Sequence, residues 1–304
     1  MFFKSATIFQ LKEAVDFDVL EAALPEFALK ECGSQEEFTF GSMPLIRNSE
    51  TFALRSGDCL LMRFGKEEKN LPSAIVREAL EEKVAQIELI EGRKVGRKEK
   101  ADMKDELIFT MRPTAYAKRS DVWMHIDSKA GIFVIYTTNA SMIEQTFKHL
   151  QTMLGSFAMT PLQAQVSPSS LMTDWLLRNA VPAWLETGDE CDIQDRSEDK
   201  ASIRFKALEP LSDDVTRHLQ EGMSVKSLAL RWSDKLNFVL HDDLTIRKVK
   251  WDDAIKEAAF NDSQGGGLSD MDATFALATL TTRELFGSLA VWLEITVNQQ
   301  EQAA

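Results

Sequence analysis

Between Ser224 and Trp251, three strand-like runs (Val225 to Trp232, Leu236 to His241 and Thr245 to Trp251) follow one another with connections of only a few residues. Parallel pairing needs a crossover of a dozen or more residues, so these runs imply an antiparallel meander. The pattern recurs where Val122 to Asp127 and Ile132 to Tyr136 flank Ser128-Lys129-Ala130-Gly131, a hairpin signal. Thr7 to Leu11 and Cys59 to Phe64 also read as strands, with a helix between them from about Asp16 to Leu29 that Pro25 should kink or interrupt. A helix from about Ser141 to Leu154 is expected to cover one face of the hairpin sheet. A last helix from Met271 to about Val297 presents Phe275, Leu285, Phe286, Leu289 and Leu293 for packing on the meander. The fold class that follows is α+β, antiparallel sheets with packed helices.

Pro72 to roughly Met111 reads as two helices interrupted at Gly92 and Gly96. In the first, Val76, Leu80, Val84, Ile87 and Ile90 recur at three- and four-residue spacing, an amphipathic face that requires a partner. In the second, at about 100° per residue, Arg97, Lys100 and Lys104 fall within roughly 60°, beside Met103, Leu107 and Met111. Glu99, Asp102, Asp105 and Glu106 fall on the other side.

The formal net charge of −13 argues against a polyanionic partner until its distribution is considered. Between Arg93 and Arg119 there are nine basic and four acidic residues, leaving 26 basic and 44 acidic elsewhere. Clustered cations can neutralise several phosphates together, and an acidic remainder would confine such contact to one place. A solvated helix face is the simpler reading of the same run. Lys226, Arg231, Arg247, Lys248 and Lys250 form a weaker cationic group, because on alternating strand faces only Lys248 and Lys250 align.

Other chemistry finds little support. Cys32, Cys59 and Cys191 are far apart and outside any CxxC pair, and His125, His149, His218 and His241 are scattered, so neither a disulfide framework nor a metal centre or cofactor is expected. Asp242-Asp243 and Asp252-Asp253 offer carboxylates for a Mg²⁺-dependent nuclease, but turn and capping chemistry accounts for them at strand ends. Gly265 to Gly267 lacks the flanking pattern of a phosphate loop and reads as a connector. Tyr116, one of two tyrosines, can stack on a base, anchor a protein contact or sit in a local core. No signal peptide or membrane span is evident, which makes the cytoplasm the default. The polar stretch Gln163 to Ser170 marks a domain boundary, followed by a short helix around Leu171 to Arg178, an acidic loop from Glu186 to Asp199 and a strand at Ile203 to Lys206.

Several stretches together resemble the recombination-associated RdgC family: Cys32-Gly33-Ser34-Gln35, Lys66 to Ser73, Gly92 to Lys100 continuing to Lys104-Asp105-Glu106, Leu154-Gly155-Ser156, Thr173-Asp174-Trp175, and Ser227 to Trp232 with Asp242-Asp243. The resemblance implies a non-enzymatic protein that binds double-stranded DNA without sequence preference. It further implies a three-part horseshoe subunit closed into a ring-shaped homodimer that encircles duplex and limits the access of RecA. The parts would be a central domain of residues 1–71 and 121–162, a helical tip of 72–120 and a base domain of 163–304. Arg93, Lys94, Arg97, Lys98, Lys100 and Lys104 match family positions for phosphate contact, followed by Lys66, Lys69 and Arg119. Tyr116 stands where relatives carry Phe at a ring-closing contact, and Ala207-Leu208 stand where relatives often carry a basic or polar pair. Nucleoid association and no membrane partner are also implied. A metal-dependent nuclease and a recombinase regulator acting by protein contact alone are the alternatives.

Overall fold

A computed structural model describes residues 2–195, 201–206, 212–232, 235–262 and 267–295. In chain order the strands and helices are Thr7–Leu11 (β1), Phe17–Glu26 (α1), Phe38–Met43 (β2), Ala53–Ser56 (β3), Cys59–Lys69 (β4), Ser73–Glu91 (α2), Arg97–Met111 (α3), Ala117–Asp127 (β5), Ile132–Ile135 (β6), Ala140–Leu154 (α4), Met159–Pro161 (β7), Pro168–Arg178 (α5), Glu186–Gln194 (β8), Ser202–Lys206 (β9), Asp213–Gln220 (α6), Ser224–Trp232 (β10), Leu236–His241 (β11), Ile246–Trp251 (β12), Asp253–Asp262 (α7) and Leu268–Leu293 (α8). No helix among the described residues is long and apolar enough to cross a membrane. The chain divides into two compact units: residues 1–23, 44–63 and 122–304 form one, and 24–43 with 64–121 form the other.

Two sheets organise the chain, with orders β2-β4-β5-β6-β1-β7, to which β3 adds by pairing β4, and β12-β11-β10-β8-β9. The predicted hairpin pairs β5 with β6 in antiparallel register, Met124 opposite Ile135 and Asp127 opposite Ile132. The predicted meander pairs β10, β11 and β12, each antiparallel to the next. Local signals set the helix starts: the Asn139 side chain accepts from Met142 N at 3.1 Å to begin α4, and Ser167 with Pro168 begins α5. Helix α1 stops one residue beyond Pro25. The outer edge of β2 is covered by the segment before it, since Leu29 N donates to Ser42 O at 2.8 Å and Ser42 N to Phe27 O at 3.0 Å. Gly41 permits this approach, because a Cβ there would lie 2.5 Å from Leu29 N.

In the larger unit the amino-terminal segment serves both sheets. Ala6 exchanges backbone hydrogen bonds with Ile246 at 2.8 and 3.0 Å, and Val249 N donates to Lys4 O at 2.8 Å. The following residues pair with β6 and β7. Ile8, Ile132 and Val134 therefore share one buried cluster with Leu228, Phe238 and Ile246. Helix α8 has a similar double role: Leu285, Phe286, Leu289 and Leu293 join that cluster, while Phe275 packs with Leu45, Cys59 and Leu61. Arg283 clamps α8 through two hydrogen bonds to the buried Asp127 carboxylate, at 2.7 and 2.9 Å. Beside this pair, His125 is buried and its Nδ1 meets the Tyr136 hydroxyl at 2.9 Å.

One sequence expectation is corrected, one is met in part, and several elements go beyond those expected. The acidic run from Glu186 is mostly a strand, β8, because Cys191 and Ile193 are buried while Glu190 and Asp192, which alternate with them, pair with Lys248 and Arg204; 196–199 lie outside the described residues. The connector expectation is met at Gly267, which precedes α8 with φ 72°, whereas 265–266 lie outside the described residues. Strands β2, β3 and β7 and helices α6 and α7 escaped sequence reading, being short or weakly periodic.

Burial lowers the His125 pKa from 6.5 to about 4, and burial together with Arg247 lowers that of His241. The unfolded chain therefore takes up protons below pH 6.5 that the folded chain refuses. Stability is expected to fall as pH drops from 6.5 towards 4, by on the order of 3 kcal/mol for His125. Calorimetric unfolding across that range should show a steadily decreasing Tm; an unchanged Tm would contradict the buried neutral imidazole.

Candidate nucleic-acid interface

All ten residues singled out for DNA contact or dimer closure lie in the smaller unit. Its helices α2 and α3 pack through the apolar stripes read from the sequence, with Val76 and Met103 buried. Lys83 and Glu106 join the two helices by an ion pair at 2.7 Å. The stripe on α2 runs out before the helix does: Ile90 is 82% exposed and Leu89 is 86% exposed.

The α2–α3 turn is tightly held. Gly92 adopts the left-handed conformation with φ 65° and donates its N–H to Glu88 O at 3.1 Å, ending α2. The Glu88 side chain then accepts from Val95 N at 3.1 Å. Arg93 forks onto Glu99, Nη1 at 2.8 Å and Nη2 at 2.7 Å, while its Nε donates to Glu91 at 2.6 Å. These bonds raise the Arg93 pKa and lower that of Glu99.

The candidates thus separate by their surroundings. Lys94, Arg97, Lys98, Lys100 and Lys104 are exposed and make no ion pair with any described residue. On the helix Lys98 lies within roughly 40° of Asp102 and Asp105, whereas Arg97, Lys100 and Lys104 share the opposite edge, Lys100 lining the groove beside Glu81 and Glu88 of α2. Arg93 is engaged as above. Lys66 pairs with Glu68 and stands 4.8 Å from the Phe38 ring centre. Arg119 pairs with the buried Glu67 and reaches Glu31 at 3.6 Å. Lys69 is half-buried and favours the charged form of Glu67.

Glu67 is an anchor that the sequence concealed. Its carboxylate accepts from Cys32 N at 2.9 Å and from Arg119 Nε, and these bonds hold its pKa below the usual carboxylate range against the cost of burial. Only tertiary contact distinguishes it from neighbouring Glu68. Lys118, one of the nine cations counted above but not among the ten, is exposed on β5 next to Arg119 and makes no ion pair with a described residue. Tyr116 is 89% exposed, which removes the local-core reading, and its carbonyl accepts from Asn70 N at 2.8 Å, fixing the backbone beneath it.

On the second sheet the cations are largely consumed. Lys226 pairs with Asp242 at 2.6 Å, Arg204 with Asp192 at 2.6 Å, Lys248 with Glu190 at 2.5 Å and Arg231 with Glu186 at 3.6 Å. Asp243 accepts from Thr245 N at 2.9 Å within the β11–β12 turn, Asp252 accepts from Ala254 N at 2.9 Å at the start of α7, and Asp253 pairs with Lys256 at 2.8 Å. Ala207 and Leu208 lie outside the described residues.

Fold and site define an α+β protein of two antiparallel sheets that carries an exposed cationic edge on a helical pair. A family model described as "Putative exonuclease, RdgC" matches residues 1–296. The chain belongs to the RdgC family. It is 36% identical over 293 residues to the "Recombination-associated protein RdgC" of Pseudomonas syringae pv. tomato, covering 95% of this chain and 96% of that protein. It is 34% identical over 300 residues to the protein of that name from Pseudomonas paraeruginosa, with 95% and 96% covered. The Xanthomonas campestris pv. campestris protein is 35% identical over 288 residues, with 94% and 95% covered.

Arg119→Met should lower stability by about 1–3 kcal/mol in urea unfolding, because it leaves the buried Glu67 carboxylate short of a charged donor. Lys104→Met, on an exposed side chain without a partner, should change stability by less than about 0.5 kcal/mol. Equal effects would mean that Arg119 is as unconstrained as Lys104.

Proposed function

We propose that this protein binds double-stranded DNA without sequence preference and without catalysis, as a ring-shaped homodimer that encircles the duplex and limits RecA-mediated recombination. The observation that carries the reading is the set of five exposed cations, Lys94, Arg97, Lys98, Lys100 and Lys104, that make no ion pair with a described residue. They stand on a chain whose residues outside 93–119 carry 26 basic and 44 acidic side chains. Cations so placed release counterions from phosphate together, and the acidic remainder opposes contact elsewhere. The relatives' name places them in recombination, and occupancy of duplex is a direct way to withhold it from a recombinase.

The dimer is supported by the exposed apolar side chains of the smaller unit, Leu89, Ile90, Phe109 and Tyr116. Exposed apolar groups suit a protein partner, and a second copy offers the same residues. Ring closure by these residues, the three-part horseshoe subunit and association with the nucleoid belong to the same reading. The exonuclease in the family model's description favours a second reading, hydrolysis with Mg²⁺ at Asp242, Asp243, Asp252 or Asp253.

Affinity for unrelated duplex sequences should be similar and fall steeply with salt. Arg97→Met, Lys100→Met and Lys104→Met should each remove about 0.9 per subunit from the slope of log K against log salt. Sequence-selective binding, or slopes unmoved by all three changes, would refute the interface. Linear duplex incubated with the protein and Mg²⁺ should stay intact; cleavage abolished by Asp242→Asn or Asp243→Asn would establish the nuclease. Replacing Arg97, Lys100 and Lys104 by Glu should abolish inhibition of RecA strand exchange, and retained inhibition would point to protein contact alone. Sedimentation should give a dimer, which Leu89→Asp with Ile90→Asp weakens.

A further inference from the structure

Among the basic residues of the turn, Arg93 and Lys94 are neighbours in sequence but opposites in surroundings. Lys94 is exposed without an ion pair to any described residue, whereas the Arg93 guanidinium makes three charge-assisted bonds to two carboxylates. Exposed ion pairs usually contribute little, but a bidentate Arg–carboxylate fork within a network is the recognised exception. Here the fork joins the two sides of the turn: Glu91 ends α2 and Glu99 lies in the first turn of α3. Glu88 adds a third tie, through Val95 N, and buried Val95 supplies an apolar anchor. With Nε and both terminal nitrogens engaged, Arg93 could offer a phosphate a bidentate contact only by displacing Glu91 or Glu99.

We propose that Arg93 is a positioning residue of the duplex-binding surface: gripped by Glu91 and Glu99, it fixes the turn that presents Lys94, Arg97 and Lys98, and it does not itself contact phosphate. The inference rests on the DNA-binding reading for its purpose, though the clamp can be measured without DNA. It makes a prediction opposite in sign to simple electrostatics. Removing two negative charges from a DNA-binding surface should tighten binding if Arg93 is a phosphate ligand held in reserve. If Arg93 positions the turn, the same change should weaken binding.

The test uses the full chain carrying Arg93→Gln, or Glu91→Gln with Glu99→Gln, beside Lys94→Gln. Amide hydrogen exchange of the free proteins should speed up at Val95 to Lys98 in the first two variants and stay unchanged in the third. Both clamp variants should weaken duplex binding roughly three- to tenfold, the cost of ordering one or two side chains on binding, with the salt slope unchanged. Lys94→Gln should reduce the slope by about 0.9 per subunit. Tighter binding with a steeper slope in the Glu91→Gln/Glu99→Gln variant, or unchanged exchange in both clamp variants, would overturn the proposal. Wild-type protein that fails to bind duplex would defeat the functional reading instead, and the exchange result would still decide whether Arg93 holds the turn.

Discussion

Residues 3–11 make backbone hydrogen bonds to both sheets, and the core of the larger unit depends on that shared segment. A sheet with one apolar face must bury it, and here β12 and β6 bury theirs around the same short stretch, through Ala6 with Ile246 and Ile8 with Val134. Helix α8 closes the arrangement from the other end of the chain. Its apolar side chains serve both clusters, and the Asp127–Arg283 pair links β5 to a helix residue 156 positions away. Removing one partner of such a pair leaves a buried charge uncompensated, so the pair fixes the placement of α8 more than it adds stability.

The smaller unit applies the same economy to its charges. Carboxylates there do two kinds of work. Glu67, buried, ties the segment around Cys32 to β4 and β5, and Glu88, Glu91 and Glu99 hold the α2–α3 turn. Each engages a cation or backbone N–H that belongs to the scaffold, leaving Lys94, Arg97, Lys98, Lys100 and Lys104 exposed. A net charge near zero along α3 is therefore compatible with a surface that binds a polyanion, because the negative groups are partly spent inside the unit.

The strands and long helices are legible because their signals are local: apolar runs with short connections for β10, β11 and β12, and three- to four-residue spacing through α2 and α8. The hairpin at β5 and β6 needed only its four-residue turn. Helix α7 begins at an aspartate cap, a local signal that serves a turn and a helix start alike. The run beginning at Glu186 looked like a loop because acidic residues dominate its composition, and only pairing with β10 and β9 reveals its alternate buried positions.

Sequence alone determined the antiparallel α+β class, the family resemblance and the concentration of cations between Arg93 and Arg119. These depend on composition, short connections and spacing, which are properties of neighbouring residues. The tertiary structure decided which of those cations are exposed and which are tied to carboxylates, and that Ile90 at the end of an amphipathic stripe is exposed. The physical reason is that an ion pair or a buried contact requires groups brought together from distant positions, such as Arg119 with Glu67 or Arg283 with Asp127, and no local pattern of residue types encodes that meeting.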